Sequence, residues 1–314
     1  MMKRVRVYLK EMFPPFARLC LAVMVFFEIY FLVVLTNRSQ LAPTAPAGPA
    51  APAGVPLNLG WQEVIGAVTI FAFLLTLRIV DDLKDYYTDQ RLFPHRAVPS
   101  GRVLRRDIVT VMIAVDTPVI VANLLWMNNP VWFVVLAVYG TALSMWFFAR
   151  GKIQPNLPLA LVTHNPVQIV MNLYIISFAC YKFDIPMLTL PNAAIALTLY
   201  FPGLIWEISR KVRAPEDETE YVTYSKLFGV RRPVVFILVV MAFDVITTSY
   251  LVYRLYPWSI TLVIAAYLWL VWQAVLFIRQ PGRWPLVQRV QWYEYVAEGT
   301  VVALIAAHLA GWGG

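Results

Sequence analysis

The chain has 314 residues, of which 60% are hydrophobic and only 14% are charged. A soluble domain carries about 25% charged residues, so this composition excludes an ordinary water-soluble fold. Apolar runs of about 20 residues recur along the chain, and that length crosses a bilayer as a helix. The formal net charge of +8 is gathered in a few loops, which argues against a nucleic-acid partner.

We predict an all-α integral membrane protein, a bundle of about nine transmembrane helices around a central cavity. The predicted spans are 15–36, 61–80, 107–127, 130–149, 157–180, 187–209, 232–253, 257–279 and 291–312. The basic segment Met1–Lys10 and the apolar run after it resemble a signal peptide. The apolar run 16–35 is longer than a signal core of about 7–15 residues, so we predict a retained first span.

Alternate loops differ in their content of Lys and Arg. The N-terminus is basic, and so are four loops, 81–106, 150–156, 208–233 and 279–290. The positive-inside rule places these segments in the cytoplasm and the C-terminus on the opposite side, as expected for a multi-pass protein of a bacterial inner membrane. We predict one polytopic domain over 1–314, with a flexible Pro/Ala-rich loop at 37–60 and cytoplasmic active-site loops at 81–106 and 207–232.

Aspartates cluster at the end of the second predicted span. Asp82, Asp85 and Asp89 have the spacing i, i+3, i+7, which predicts that they share one face of a helix. Like charges at this spacing repel one another, so a positive counter-charge is needed. A hard divalent cation with oxygen ligands meets that need, and Mg²⁺ usually completes its octahedron with substrate phosphates.

A basic segment follows the aspartates directly. Arg91, Arg96 and Arg102 alternate with proline and glycine residues that are typical of tight turns. Guanidinium groups suit bidentate contacts with phosphate oxygens. A solvated loop that obeys the positive-inside rule would explain the arginines alone, but not the carboxylates beside them. Together the two segments predict a metal–diphosphate site.

These motifs resemble those of the UbiA superfamily of intramembrane prenyltransferases. The first signature of that superfamily is (N/D)DxxDxxxD, and the segment Asp81–Asp89 fills every acidic position. A basic part, RxxPxRPxxSGR, follows it, and the matching residues here are Arg91, Pro94, Arg96, Pro99, Ser100, Gly101 and Arg102. A further feature, YxxxK(R) after the fourth helix, is represented more loosely by Trp146–Arg150, with Lys152 close by.

The second acidic signature of the superfamily, commonly DxxxD, follows the sixth helix. Here Glu207 stands at the first acidic position and Lys211 at the second, and 223–229 resembles the tail of the signature. Further acids come after an apparent insertion, and they are Glu216, Asp217, Glu218 and Glu220. Two interpretations remain open. Either the loop folds back and supplies Glu216, Asp217 or Glu218, or Arg210 and Lys211 neutralise part of the diphosphate charge.

The resemblance implies a Mg²⁺-dependent enzyme that transfers an isoprenyl group from a prenyl diphosphate to a hydrophobic or aromatic acceptor. The implied metal ligands are Asp81, Asp82, Asp85, Asp89, Glu207 and Asp217, with Asp82, Asp85 and Glu207 as the catalytic set. The implied diphosphate-binding residues are Arg91, Arg96, Arg102, Arg150, Lys152, Arg210 and Lys211. His164 and Asn165 lie in an apolar span, where polar groups usually face a cavity, and are candidates for an acceptor pocket. An interhelical hydrogen bond is the alternative for these two.

Two other functions remain open. A terpene cyclase on the same scaffold would capture the allylic cation with the double bonds of the prenyl chain itself. The altered second acidic motif is the reason that this alternative stays open. A transporter or lipid-binding protein without chemistry would explain the helices. It gives no reason for acids and arginines at one helix end.

Overall fold

The computed structural model describes residues 1–37 and 59–311, and every regular element within these two stretches is helical. In chain order the α-helices are α1 (Met2–Met12), α2 (Pro15–Thr36), α3 (Trp61–Lys84), α4 (Tyr86–Leu92), α5 (Arg105–Trp126), α6 (Pro130–Ser144), α7 (Arg150–Ile153), α8 (Leu157–His164), α9 (Val167–Phe183), α10 (Leu190–Thr198), α11 (Phe201–Ser209), α12 (Tyr224–Phe228), α13 (Arg231–Tyr253), α14 (Ile260–Arg279) and α15 (Leu286–Leu309). Three 3-10 turns, Trp146–Phe148, Pro215–Asp217 and Pro257–Ser259, complete them. The predicted all-α class is confirmed for these residues.

Six helical segments of the described chain are long and apolar enough to cross a membrane. They are Pro15–Thr36, Trp61–Lys84, Arg105–Trp126, Leu157–Phe183, Arg231–Tyr253 and Pro257–Arg279. Each coincides with a predicted span, so the chain is an integral, multi-pass membrane protein. The count of nine spans and the orientation of the termini stay predictions.

The other three predicted spans are helical, but each departs from a simple apolar crossing. The fourth is the short helix α6 of 15 residues. The sixth is interrupted between α10 and α11, and Pro202 in the first turn of α11 has no amide to continue the ladder. The ninth is α15, which is 24 residues long but carries Glu294 and Glu298 among its apolar side chains.

Side-chain caps fix where several of these helices begin. Asn156 accepts a hydrogen bond from the backbone N–H of the third residue after it at the start of α8, and Thr189 and Thr223 do so for α10 and α12. Such caps satisfy one of the N–H groups that a helix start leaves unpaired. The sequence therefore sets these boundaries locally.

The chain divides into two compact units. Unit 1 comprises Met1–Glu28 and Asn58–Arg150, and unit 2 comprises Ile29–Leu57 and Gly151–Gly314. The core of unit 1 that matters for the site consists of Tyr8, Phe13, Leu75, Ile79, Ala97, Val98, Val103 and Ile108. These residues come from α1, α3, α5 and the segment between α4 and α5. The single-domain organisation stays a prediction, and the predicted loop at 37–60 lies, apart from its ends, outside the described residues.

A close helix approach within unit 1 depends on Gly66 of α3. A Cβ atom at this position would lie 2.2 Å from Cε2 of Phe26. Real Cβ atoms do not come so near another carbon, so the ring of Phe26 occupies the space that a side chain would need.

We expect Gly66→Ala to lower the free energy of unfolding by about 1–2 kcal/mol. Overpacking costs about 1–3 kcal/mol, and the better helix propensity of alanine offsets only about 0.5–1 kcal/mol of it. Gly299→Ala in α15 is the matched control, because no described atom outside its own stretch of helix backbone lies within 4 Å of its new Cβ. In detergent, the thermal unfolding midpoint of Gly299→Ala should equal or exceed that of wild type, and the midpoint of Gly66→Ala should be lower. Equal midpoints for the two variants would contradict the packing argument.

Candidate active site

The first acidic motif lies where α3 ends. Asp85, with φ −96° and ψ 8°, separates α3 from the short helix α4. The N–H of Asp85 still donates to the carbonyl of Asp81 at 3.0 Å, and the N–H of Asp89 donates to the carbonyl of Asp85 at 2.8 Å. The prediction of one continuous helix face was wrong in this respect. The acids come from the last turn of one helix, from the junction residue and from a second helix.

Asp82 is the most deeply buried acid of the motif, with 4% of its surface exposed. Its Oδ2 accepts a hydrogen bond of 2.7 Å from the hydroxyl of Tyr8 in α1. Its Oδ1 pairs with the guanidinium of Arg78, one turn earlier in α3. A buried carboxylate is tolerated only when it is hydrogen-bonded and paired, and both conditions are met here.

Two further acids of the motif also have cationic partners. Asp81 Oδ1 lies 2.8 Å from Nζ of Lys84. Asp89, which is 7% exposed, accepts from Nη1 of Arg96 at 2.9 Å, and the Arg96 guanidinium lies 3.9 Å from the ring centroid of Phe93. Arg96 therefore ties the turn after α4 back to the motif.

Asp85 differs from the other three acids. It is half-buried, and within the described residues its carboxylate accepts no hydrogen bond. Burial, together with the like charges of Asp81 and Asp89, raises the pKa of Asp85 to about 6, although Lys84 and Arg150 act in the opposite direction. A half-buried carboxylate without a donor can serve as a ligand for a cation.

The predicted phosphate-binding arginines of unit 1 have different surroundings. Arg102 donates to Oε2 of Glu11 at 2.8 Å and to the carbonyl of His95 at 2.8 Å, and it lowers the pKa of Glu11. Its guanidinium therefore shapes the turn. Arg91 and Arg150 are exposed, and Arg150 lies near enough to Asp85 to act on its pKa.

The segment that matches the looser YxxxK(R) feature is strained. Trp146, Phe147 and Phe148 all have positive φ, at 54°, 49° and 58°. Bulky residues rarely adopt this region, and such strain persists only where the surroundings enforce it. Nζ of Lys84 lies over the Trp146 ring, 4.8 Å from its centroid. This segment therefore packs on the same helix end as the aspartates.

The second acidic motif belongs to unit 2. Glu207 forms ion pairs with Nε of Arg210 at 2.7 Å and with Nζ of Lys211 at 2.8 Å. The two basic residues thus neutralise Glu207 itself in this structure. Lys152 is exposed on its own short helix, α7.

Two acids of the insertion have different surroundings. Glu218 accepts hydrogen bonds from the hydroxyls of Thr223 and Ser225, at 2.7 Å and 2.5 Å, and so stabilises the start of α12. Asp217 is exposed in a 3-10 turn. Of the candidates for an acceptor pocket, His164 ends α8 with Nδ1 2.9 Å from Oγ1 of Thr163, and Asn165 follows it at the helix break.

No three His, Cys, Asp or Glu side chains within 1–37 and 59–311 come together as a ready metal cage. Mg²⁺ is usually bound through one or two carboxylates, with the remaining positions taken by water and substrate phosphates. The donor set suits that open kind of binding, because Asp85 has no donor within the described chain and the Asp81 side chain is 49% exposed.

Sequence reasoning missed three of the residues that surround the acids. Arg78 and Lys84 could have been found, since they lie four residues before Asp82 and three after Asp81 on the same helix. Tyr8 could not, because it lies 74 residues from Asp82 and only packing brings them together.

The fold and the motif define a class of helical, multi-pass membrane proteins that carry an acidic cluster at the end of a membrane-spanning helix. A solved structure of a digeranylgeranylglyceryl phosphate synthase superposes on the chain with a TM-score of 0.66, covering 98% of this chain and 99% of that one at 13% sequence identity. That protein is a UbiA-superfamily intramembrane prenyltransferase, so the predicted resemblance is confirmed for the fold. No family model and no curated protein sequence matches the chain.

We expect Asp85→Asn to stabilise the protein at pH 8 by about 1–3 kcal/mol when divalent cations are chelated. The folded pKa of Asp85, about 6, lies above its unfolded value, so protonation favours folding. The stabilising contribution of the acid form is complete below about pH 4 and is lost as the pH rises through about 6. Unfolding midpoints at pH 5 and pH 8 test this, with the exposed Glu220→Gln as control. A gain in the Asp85→Asn midpoint that is the same at both pH values would contradict it.

Proposed function

We propose that the protein is an intramembrane prenyltransferase that moves an isoprenyl group from a prenyl diphosphate to a lipid-type acceptor. One observation carries the proposal. At the end of α3, three acids are held by protein cations, and Asp85 remains half-buried without a donor among the described residues. An acid that carries a stability cost is typical of functional sites. The shared fold with a prenyltransferase supports the same conclusion.

We propose that Asp81, Asp82 and Asp85 hold Mg²⁺ together with the diphosphate, and that Asp89 completes the acidic surroundings. Bound Mg²⁺ supplies positive charge that offsets the negative charge developing on the leaving diphosphate. We propose that Arg91 and Arg150 add hydrogen-bond donors to the same anion, and their exposure in the unit that carries the aspartates supports this.

The proposed reaction breaks the bond between the allylic carbon and the bridging diphosphate oxygen, and the electron pair leaves with the diphosphate. The acceptor then attacks that carbon with a lone pair and releases its proton. Apolar helices surround the prenyl chain and exclude water, which would otherwise capture the cation. The chain therefore contributes binding, charge compensation and a dry environment.

A lipid-type acceptor is favoured over an aromatic one. The product named for the structural neighbour is a glyceryl phosphate that bears two geranylgeranyl groups. A protein that shares this fold and lies in a membrane meets such amphiphilic acceptors in the bilayer. For the second acidic motif we propose a supporting role, in which Glu207 sets the orientation of Arg210 and Lys211.

Purified protein with Mg²⁺, geranylgeranyl diphosphate and a geranylgeranylglyceryl phosphate acceptor should form the doubly prenylated product. We expect Asp85→Asn to lower the rate by about 10–100-fold, whereas the exposed Glu220→Gln should not change it. Mass spectrometry of the lipid extract measures both. A cyclic hydrocarbon formed without acceptor would establish the terpene cyclase instead. Full activity in excess chelator would contradict the metal site.

We expect Arg150→Ala to raise KM for the prenyl diphosphate about 10–100-fold, because a lost charge-assisted hydrogen bond is worth about 1.5–3 kcal/mol. Arg106→Ala is the matched control, since it removes an exposed arginine in the first turn of α5, outside the proposed site. Initial rates over a range of diphosphate concentrations separate the two variants. Equal effects would show that only the overall charge matters.

A further inference from the structure

The N-terminal helix α1 is fixed to unit 1 by one of its faces. Arg4, Tyr8 and Glu11 have the spacing i, i+4, i+7 and therefore point to the same side of the helix. Nε of Arg4 donates to Asp107 at 2.6 Å, and Glu11 pairs with Arg102. Ion pairs thus hold both ends of α1, and Tyr8 lies between them.

Tyr8 makes the contact of α1 that reaches the acidic motif. Its side chain is completely buried, and its hydroxyl donates to Oδ2 of Asp82. Arg78 engages the other oxygen of the same carboxylate. A carboxylate offers about four lone-pair sites, so these two donors fix its plane and leave about two sites for another ligand.

We propose that Tyr8 is a positioning residue of the diphosphate site, whose hydroxyl sets the orientation of the Asp82 carboxylate through which a divalent cation is held. The proposal rests on the proposed function. It makes α1 part of the active site, although the sequence assigns α1 only a role in membrane orientation.

The hydroxyl of Tyr8 distinguishes a role in orienting Asp82 from a role in packing the core. The ring of Tyr8 packs in the core with Ile79 and Val98, and a phenylalanine would pack there equally well. Partners that orient a metal-binding carboxylate typically change metal affinity by about 10–100-fold. Loss of the hydroxyl alone should therefore weaken cation binding and leave the core filled.

Tyr8→Phe tests this, with Tyr87→Phe as the matched control, because Tyr87 is 71% exposed on α4. Mn²⁺ binding to the full-length protein in detergent is measured by the loss of the free-ion electron paramagnetic resonance signal, in the presence of geranylgeranyl thiodiphosphate. We expect Tyr8→Phe to weaken binding about 10-fold and Tyr87→Phe to leave it unchanged. The unfolding midpoint without metal should stay near that of wild type.

Equal Mn²⁺ affinities for wild type and Tyr8→Phe would overturn the proposal, and so would an equal loss in Tyr87→Phe. Asp85→Asn distinguishes the two levels of inference. If it abolishes Mn²⁺ binding while Tyr8→Phe has no effect, only the role of Tyr8 falls. If wild-type protein binds no Mn²⁺, the proposed metal site falls as well, and the role of Tyr8 with it.

A measurement on the wild type covers the case in which Tyr8→Phe does not fold. Mg²⁺ with the thiodiphosphate should slow hydrogen exchange of the backbone amides of α1, because the occupied site holds Asp82 and thereby Tyr8. The first turns of α6, in the same unit, serve as the internal reference. Unchanged exchange in α1 would overturn the proposal.

Discussion

Compensation of negative charge at the end of an apolar helix is the constraint on which unit 1 depends. Carboxylates clustered beside a hydrocarbon layer are unstable unless opposite charges or donors accompany them. Three of the four acids have a cationic partner in the chain. These partners are Arg78 for Asp82, Lys84 for Asp81 and Arg96 for Asp89. Asp85 has none of these ion pairs, and its pKa is raised because burial disfavours its charged form. The described residues therefore compensate three of the four acids directly and leave Asp85 without a bonded cation.

This arrangement also explains why elements far apart in sequence converge on the motif. α1 brings Tyr8, the turn after α4 brings Arg96, and the strained segment after α6 places Trp146 against Lys84. Each contact either donates to a carboxylate or holds a cation that does. The strain at Trp146 is consistent with a segment whose position is set by the charges that it covers.

Unit 2 shows the same principle with fewer charges. Glu207 is held by Arg210 and Lys211, which lie just beyond the end of α11. Among the later acids, Glu218 serves local structure by accepting hydrogen bonds at the start of α12. A carboxylate of this kind is satisfied by its own sequence neighbours. The departure of this region from the DxxxD pattern thus has a physical consequence, because a lysine now stands where the pattern has a second acid.

The sequence by itself determined the class of the protein, most of its membrane-spanning helices and the location of the acidic motif. Each follows from local properties, namely the length of apolar runs, the spacing of acids and the residues that cap a helix. The tertiary structure alone decided the break of α3 at Asp85, the pairing of Arg102 with Glu11 and the arrival of Tyr8 at Asp82. These depend on which side chains meet across long stretches of chain. Helical spacing identifies a partner within one helix, such as Arg78 for Asp82, but only packing selects a partner that lies far away in the sequence, such as Tyr8.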